Sequence, residues 1–204
     1  MAEHATSPES WIADRLSGPQ QKFQAFANRV YQSGGALDLK TKELIAIATA
    51  SVGRCPHYTS EHLTKAKEAG ATEDEIAEAL AVAWVQGGGT QLFWMKDDFE
   101  EFLGANWRTQ FIPEVDRAFW TFKREVFAEG ALSEKTKQLI AIAANSMLRC
   151  RHCTRAHIQA ALKVGATRQE IAEALAVLWV IGSGIEVVWN QQDFETHLRT
   201  HTPT

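Results

Sequence analysis

The sequence predicts an all-α fold built from two tandem copies of one helical unit. Shifting the 204-residue chain by 95 positions aligns residues 36–99 with 131–194 without a gap, and 35 of those 64 positions are identical. Apolar residues recur at helical spacing in both copies, and capping-box patterns precede the apolar runs. Proline and strand-like alternation are nearly absent from these segments. The chain is therefore a duplicated domain made of helices.

Each repeat opens with a predicted amphipathic helix. In the second repeat its apolar residues follow the i, i+3, i+7, i+8 spacing of one helix face. The same residues recur in the first repeat at an offset of 96. The offset is one residue larger here because the Gly34-Gly35 pair corresponds to the single Gly130, so one glycine of the pair is extra. The matched residues are Phe23, Phe26, Val30 and Tyr31 with Phe119, Phe122, Val126 and Phe127.

Three further helices follow in the second repeat. Ser133 is positioned to cap a helix over 135–148, and a helix over 151–164 ends at a glycine, Gly165. Thr167 and Glu170 form a capping box, which Thr72 and Glu75 repeat.

Two later glycines make the end of the second repeat ambiguous. Gly182 and Gly184 predict either an interruption of the helical pattern or close packing of another element. A last helix is predicted through Trp189 and Phe194.

The domain boundary is predicted near 104–113, which gives domains over 1–107 and 108–204. The run 176–181 is apolar all round and predicts a buried or interface helix. We therefore expect the repeats to pack on each other and the protein to form a homo-oligomer. Glu78 and Glu173 are predicted on a solvated helix face. Four tryptophans at equivalent places are predicted as core or interface anchors: Trp84, Trp94, Trp179 and Trp189.

Composition excludes several function classes. The formal charge is −4, from 25 acids against 21 bases, and no Lys/Arg cluster indicates nucleic-acid binding. The N-terminus lacks the features of a signal peptide, and the apolar run 175–181 is too short for a membrane span. These observations predict a cytoplasmic protein that binds neither nucleic acid nor membrane. Three cysteines favour site chemistry over a disulfide framework.

Two equivalent segments concentrate the reactive side chains. Residues 150–157 and 55–62 together hold all three cysteines and four of the seven histidines. On a helix, Cys150, Cys153 and His157 fall within roughly 60° of one another. His152 points elsewhere unless residue 150 or 151 precedes the first helical turn.

This pattern suits redox chemistry. A Cys-x-x-Cys pair at a helix start can close a small disulfide, and the helix N-terminus and a nearby imidazole lower a thiol pKa. His157, one turn beyond Cys153, is placed to act as a base. Two other interpretations remain open, zinc bound by these cysteines and histidines or inert buried cysteines. Neither a cofactor nor a metal is predicted.

The chain resembles the AhpD-like alkylhydroperoxidases of the carboxymuconolactone decarboxylase superfamily. The shared pattern is an acidic residue about twelve positions before Cys-x-His-Cys-x-x-x-His, then Gly-Ala-Thr and Glu-Ile-x-Glu-Ala. This resemblance implies an all-helical oligomer, with a trimer favoured for fused members. It also implies that Cys153 is the peroxidatic thiol, Cys150 the resolving thiol, and His157 and His152 parts of a proton relay. The implied partners are a hydroperoxide substrate and a dithiol donor such as a lipoyl or thioredoxin-like protein.

Neither repeat holds the family's complete set of residues. In the second repeat the relay glutamate is replaced by Gln138, which can hydrogen-bond His157 but cannot take a proton. The first repeat has Tyr58 in place of the second cysteine. Its remaining members form a second candidate site: Glu43, Cys55, His57 and His62.

The predicted function is therefore that of a thiol-dependent peroxidase, an antioxidant activity carried by a redox-active disulfide in the second repeat. One alternative is a carboxymuconolactone decarboxylase-like lyase that uses histidine and acidic residues, which the first repeat resembles more. Another is a non-catalytic redox sensor.

Overall fold

A computed structural model describes residues 15–32 and 34–189 of the chain. Within these residues the protein forms ten helices and no strand, so the all-α prediction is confirmed. The helices are α1 (Ser17–Tyr31), α2 (Leu39–Val52), α3 (Pro56–Glu68), α4 (Glu73–Phe93), α5 (Lys96–Leu103), α6 (Trp107–Phe111), α7 (Pro113–Phe127), α8 (Glu134–Met147), α9 (Arg151–Lys163) and α10 (Arg168–Val188).

The predicted caps are present. The Ser133 side chain accepts a hydrogen bond from the backbone at the start of α8. Thr72 and Thr167 begin α4 and α10, and Glu75 and Glu170 return the hydrogen bond in each case. These local signals could be identified from sequence because each is completed within four residues.

The end of the second repeat differs from one prediction. Helix α10 continues without interruption through Gly182 and Gly184 to Val188, and Trp189 caps this same helix. Close packing is the correct reason for Gly184, because a Cβ there would overlap the Tyr58 hydroxyl from α3. Phe194 and the helix predicted through it lie outside the described residues.

Helix α10 extends well beyond the apolar run 175–181 on which the sequence prediction about membrane spans rested. By length and composition alone, Arg168–Val188 could cross a membrane. In this protein the helix packs against α1, α2 and α8, and about a third of its apolar window is buried.

The two repeats share one core, as predicted. Helices α2 and α8 contact each other at its centre, and each also contacts both long helices, α4 and α10. Residues 44–48 and 139–143 are nearly or completely inaccessible to solvent. The opening helices cross over as well, since α1 packs against α10 and α7 against α4.

A partly buried acidic bridge joins α4 to the second repeat. The Glu78 carboxylate accepts hydrogen bonds from the backbone N–H groups of Ala131 and Leu132 at 2.9 and 2.8 Å. It also lies 3.0 Å from the Lys137 ammonium, which is 2% exposed. The prediction that Glu78 lies on a solvated face is wrong, because its carboxylate is bound to the second repeat. The sequence pattern does not show this contact, since the partners are more than 50 residues away.

Glu173 makes the equivalent bridge from α10 to the first repeat. Its carboxylate accepts from the N–H groups of Ala36 and Leu37 at 2.8 and 3.0 Å and lies 3.6 Å from Lys42. The solvated-face prediction is wrong here too. Burial alone would raise the pKa of Glu173, but these partners and the Gln169 amide outweigh it and hold the pKa at about 2.

A glycine accommodates each carboxylate. A Cβ at Gly35 would overlap Glu173, and one at Gly130 would overlap Glu78. Gly35 is therefore the structural counterpart of Gly130, which makes Gly34, with its positive φ of 96°, the extra residue of the first repeat.

The four equivalent tryptophans lie on the surface. Their exposed fractions run from 57 to 72%, so the prediction that they anchor the core is wrong for the described chain. Trp84 packs edge-on against Phe122, and Trp179 packs in the same way against Phe26. Their alternative role as interface anchors remains a prediction.

Replacing Glu173 with Gln is expected to lower the free energy of unfolding at pH 7 by about 1–3 kcal/mol, because charge-assisted hydrogen bonds are lost. The folded-state pKa of Glu173 lies below its unfolded value, so its contribution is full above pH 4.5 and disappears as the pH falls towards 2. Urea unfolding at pH 7 and at pH 3 measures both effects. Glu186→Gln, on an exposed position of the same helix, is the control; equal losses in the two variants would contradict the prediction.

Candidate functional site

A strained turn places the first motif cysteine of each repeat. Arg149 follows α8 with a φ of 58°, and Arg54 follows α2 with a φ of 56°. This left-handed conformation costs a residue other than glycine roughly 1–2 kcal/mol. In each repeat the turn delivers the next residue, Cys150 or Cys55, to the N-cap of the following helix. Cys150 N–H donates back to the Asn145 carbonyl at 3.0 Å, which fixes the reversal.

The two cysteines of the second repeat are joined. Cys150 and Cys153 form a disulfide with a Cα–Cα distance of 5.4 Å. Cys150 is completely buried, whereas Cys153 is half-buried. The backbone N–H of Cys153 also points at the Cys150 sulfur, 3.3 Å away. A thiolate at either position would lie at the N-terminal end of α9, where helix N–H groups stabilise negative charge.

His157 is held in one tautomer beside this pair on α9. Its Nδ1 lies 2.6 Å from Oε1 of Gln138 on α8, and its ring stacks on Phe127. Because an amide oxygen only accepts, Nδ1 carries the proton and Nε2 is left as the basic atom. Burial, and then the nearby Lys123 cation, lower the pKa of His157 to about 3. The imidazole is therefore neutral at physiological pH.

Lys123 and Phe127 were missed by the sequence analysis. The Lys123 ammonium lies over the rings of Trp120 and Phe127, 5.3 and 5.8 Å from their centroids. Burial lowers the pKa of Lys123 itself. The sequence signal that could have identified Lys123 is its place between the apolar positions of the opening helix, where the first repeat has the uncharged Ala27.

His152 points away from the helix core, as the helical geometry predicted. It is exposed, and its Nε2 lies 3.5 Å from a carboxylate oxygen of Asp97 on α5 of the first repeat. Within residues 15–32 and 34–189, no group of three or more His, Cys, Asp or Glu residues is arranged to hold a metal ion. Both thiols that a zinc ion would need are committed to the disulfide.

The first repeat brings together a carboxylate and an imidazole. Oε2 of Glu43 lies 2.5 Å from Nδ1 of His62, and both side chains are buried. Glu43 therefore serves the histidine of its own repeat. The rings of Tyr31 and Tyr58 each stack on His62, with centroid separations of 5.7 and 5.9 Å.

The other members of the first candidate site differ in accessibility. Cys55 is a buried free thiol, and Tyr58 is buried beside it. Burial, with Glu61 and Cys55 nearby, raises the pKa of the Tyr58 phenol, so it stays protonated. His57 is exposed and lies 3.6 Å from Glu61. The first repeat thus holds an acid–base pair with one thiol, and the second a thiol pair with a neutral imidazole.

Comparison with known proteins identifies the family. The carboxymuconolactone decarboxylase family model matches residues 19–96 and 113–189, once in each repeat. The chain belongs to this family. One relative is uncharacterized protein 4 in the cox locus of Paracoccus denitrificans. It is 42% identical over 66 residues, which are 32% of this chain and 57% of that protein.

A solved structure shows the same carboxymuconolactone decarboxylase fold. The crystal structure of a putative gamma-carboxymuconolactone decarboxylase subunit from Burkholderia xenovorans matches with a TM-score of 0.70. The match covers 93% of this chain and 90% of that one, at 21% identity. At this identity the likeness concerns the fold alone.

Replacing Lys123 with Gln is expected to raise the pKa of His157 from about 3, because the cation disfavours a protonated imidazole. The pKa should stay below 6.5, since burial remains the larger cause. Histidine ring NMR over pH 3–8 measures the shift. Lys163→Gln at the other end of α9 is the control; an unchanged His157 titration in Lys123→Gln would refute the electrostatic assignment.

Proposed function

We propose that the second repeat is a thiol peroxidase that reduces organic hydroperoxides through Cys150 and Cys153. The observation that carries the proposal is the disulfide between a buried and a half-buried cysteine at the start of α9. A fully buried cysteine suits a resolving thiol, and a half-buried one suits a thiol that meets the substrate. Membership of the carboxymuconolactone decarboxylase family is compatible with this role.

The chemistry balances with two thiols and one hydroperoxide. The Cys153 thiolate attacks the terminal oxygen of ROOH, the O–O bond breaks, and protonation of the leaving alkoxide gives ROH and a sulfenic acid. The Cys150 thiolate then attacks the Cys153 sulfur, and the hydroxyl group leaves as water while the disulfide forms. Two electrons pass from the thiols to the peroxide. A dithiol donor returns them by thiol–disulfide exchange.

His157 supplies the proton-handling group of this scheme. With Nδ1–H bonded to Gln138, its Nε2 takes the thiol proton and later gives it to the leaving group. The pKa of about 3 makes this imidazole a weak base. The helix start and the nearby arginines stabilise the thiolate instead, so we expect a working site with a slow proton transfer.

The proposed partners and assembly follow from the same assignment. We expect a lipoyl or thioredoxin-like dithiol as the donor and a cytoplasmic setting. A homo-oligomer, with a trimer favoured, would cover the exposed Trp84 and Trp179 faces. The Burkholderia xenovorans neighbour is itself described as a subunit.

The first repeat supports a second candidate function. Its buried Glu43–His62 pair, with no second thiol at position 58, suits proton transfer in a decarboxylase-like reaction. Such an activity would survive alkylation of the thiols and be lost in His62→Ala.

The decisive test is peroxide consumption driven by a dithiol in matched cysteine variants. Cys153→Ser is expected to abolish turnover, while Cys55→Ser leaves it nearly unchanged, because Cys55 has no thiol partner in its motif. Peptide mapping after one equivalent of hydroperoxide should show Cys150 linked to Cys153. Retained turnover in Cys153→Ser refutes the proposal. Oxidation without repeated turnover indicates a redox sensor.

Replacing Gln138 with Glu is expected to raise peroxidase kcat/KM at pH 7 several-fold. This corresponds to an activation free energy lower by about 1 kcal/mol. A carboxylate beside Nδ1 stabilises the imidazolium that forms during proton transfer. The first repeat already places a carboxylate there, with Glu43 beside Nδ1 of His62. The pH–rate profile should move with it, because the pKa of His157 rises. Gln138→Leu, which removes the hydrogen bond, should lower the rate; equal rates in the two variants would contradict the assignment.

A further inference from the structure

A cavity borders the redox pair of the second repeat on the side of Cys150. Its volume is about 440 Å³, and its lining includes three arginines, Arg149, Arg151 and Arg155. No acidic residue of the described chain lines it. The three guanidinium groups are exposed, and none forms an ion pair with residues in 15–32 or 34–189. Among the described residues, no acidic side chain therefore neutralises these charges, and we take them as the ligand-binding groups.

The arginines accompany the thiol pair. Arg149 has a counterpart in Arg54, but Arg151 and Arg155 correspond to Pro56 and Ser60 in the first repeat. The two additional cations thus occur only in the repeat that has two motif cysteines. Arg151 and Arg155 are also four positions apart on α9, so they lie on one helix face.

The remaining lining suits a ligand that is charged at one end and apolar beyond it. Ile158 and the Thr154 side chain lie along the same stretch of α9 as the arginines and contribute methyl groups. Guanidinium groups bind carboxylates through paired N–H donors in one plane. A short-chain organic acid matches both features.

We propose that this cavity binds the carboxylate of a small organic acid, so that the second repeat prefers charged reactants to neutral ones. The inference deepens the proposed peroxidase function and rests on it for the identity of the reactant. The carboxylate has two possible sources, a hydroperoxide substrate that also bears a carboxylate or a reducing dithiol that bears one. Both present the same group to the same arginines.

Binding without turnover is the first arm of the test. Hexanoate and hexanamide, which differ in charge but little in shape, are titrated into the oxidised protein by calorimetry. Hexanoate is expected to bind about ten-fold more tightly, and an Arg151→Gln/Arg155→Gln double variant should lose that preference. Arg54→Gln, in the first repeat, is the matched control and should keep it. Equal affinity for the two probes overturns the inference.

The two half-reactions identify the source of the carboxylate. Thiol loss at Cys150 and Cys153 is followed with a carboxylated hydroperoxide and its methyl ester, and disulfide reduction with dihydrolipoate and dihydrolipoamide. A charge preference of about ten-fold in one half-reaction, lost in the double variant, supports the inference and names that reactant. No preference in either half-reaction overturns it. No thiol loss with either hydroperoxide refutes the peroxidase function instead, and the calorimetric arm then decides the binding site.

Discussion

The structure depends on two reciprocal contacts between a partly buried carboxylate and the backbone of the opposite repeat. Glu78 and Glu173 each satisfy two N–H groups just before α8 and α2, and each draws in a nearly buried lysine. These contacts orient the two central helices against each other. Because α2 and α8 also carry Glu43 and Gln138, the same contacts set the position of both imidazole partners.

Duplication has let the two sites diverge around one backbone. The left-handed turn at Arg54 and Arg149 and the cysteine N-cap are shared, so both repeats present a sulfur at a helix start. What differs is the chemistry beside it. The first repeat pairs its histidine with a carboxylate and fills the second sulfur position with a phenol. The second keeps both sulfurs but pairs its histidine with an amide, while burial and then a nearby lysine favour the neutral ring.

The sequence predicted those features whose signals are local. Capping boxes, helix spacing and the Cys-x-x-Cys register are each decided within one or two helical turns, and the repeat itself doubled every signal. Glu78 was misplaced because its partners are 53 and 54 residues away. Lys123 was missed because its effect on His157 arises only when α7 packs beside α9. The low pKa of His157 has the same origin, since burial is a property of the packed core.

One buried pair makes the two halves of the core distinguishable. Nδ2 of Asn145 on α8 donates to Oε1 of Gln86 on α4 at 3.0 Å, and both side chains are buried. The equivalent positions are the apolar Ala50 and Ile181. If the repeats were made as separate chains, two copies of the second would bury Asn145 opposite Ile181. Asn145 would keep its hydrogen bond to the Ala141 carbonyl but lose the one to Gln86, at a cost of about 1 kcal/mol. Only the unlike pairing keeps the two amides in contact, so this hydrogen bond favours a heterodimer when the repeats are made separately. The duplicated gene thereby encodes an asymmetric molecule whose halves recognise each other rather than themselves.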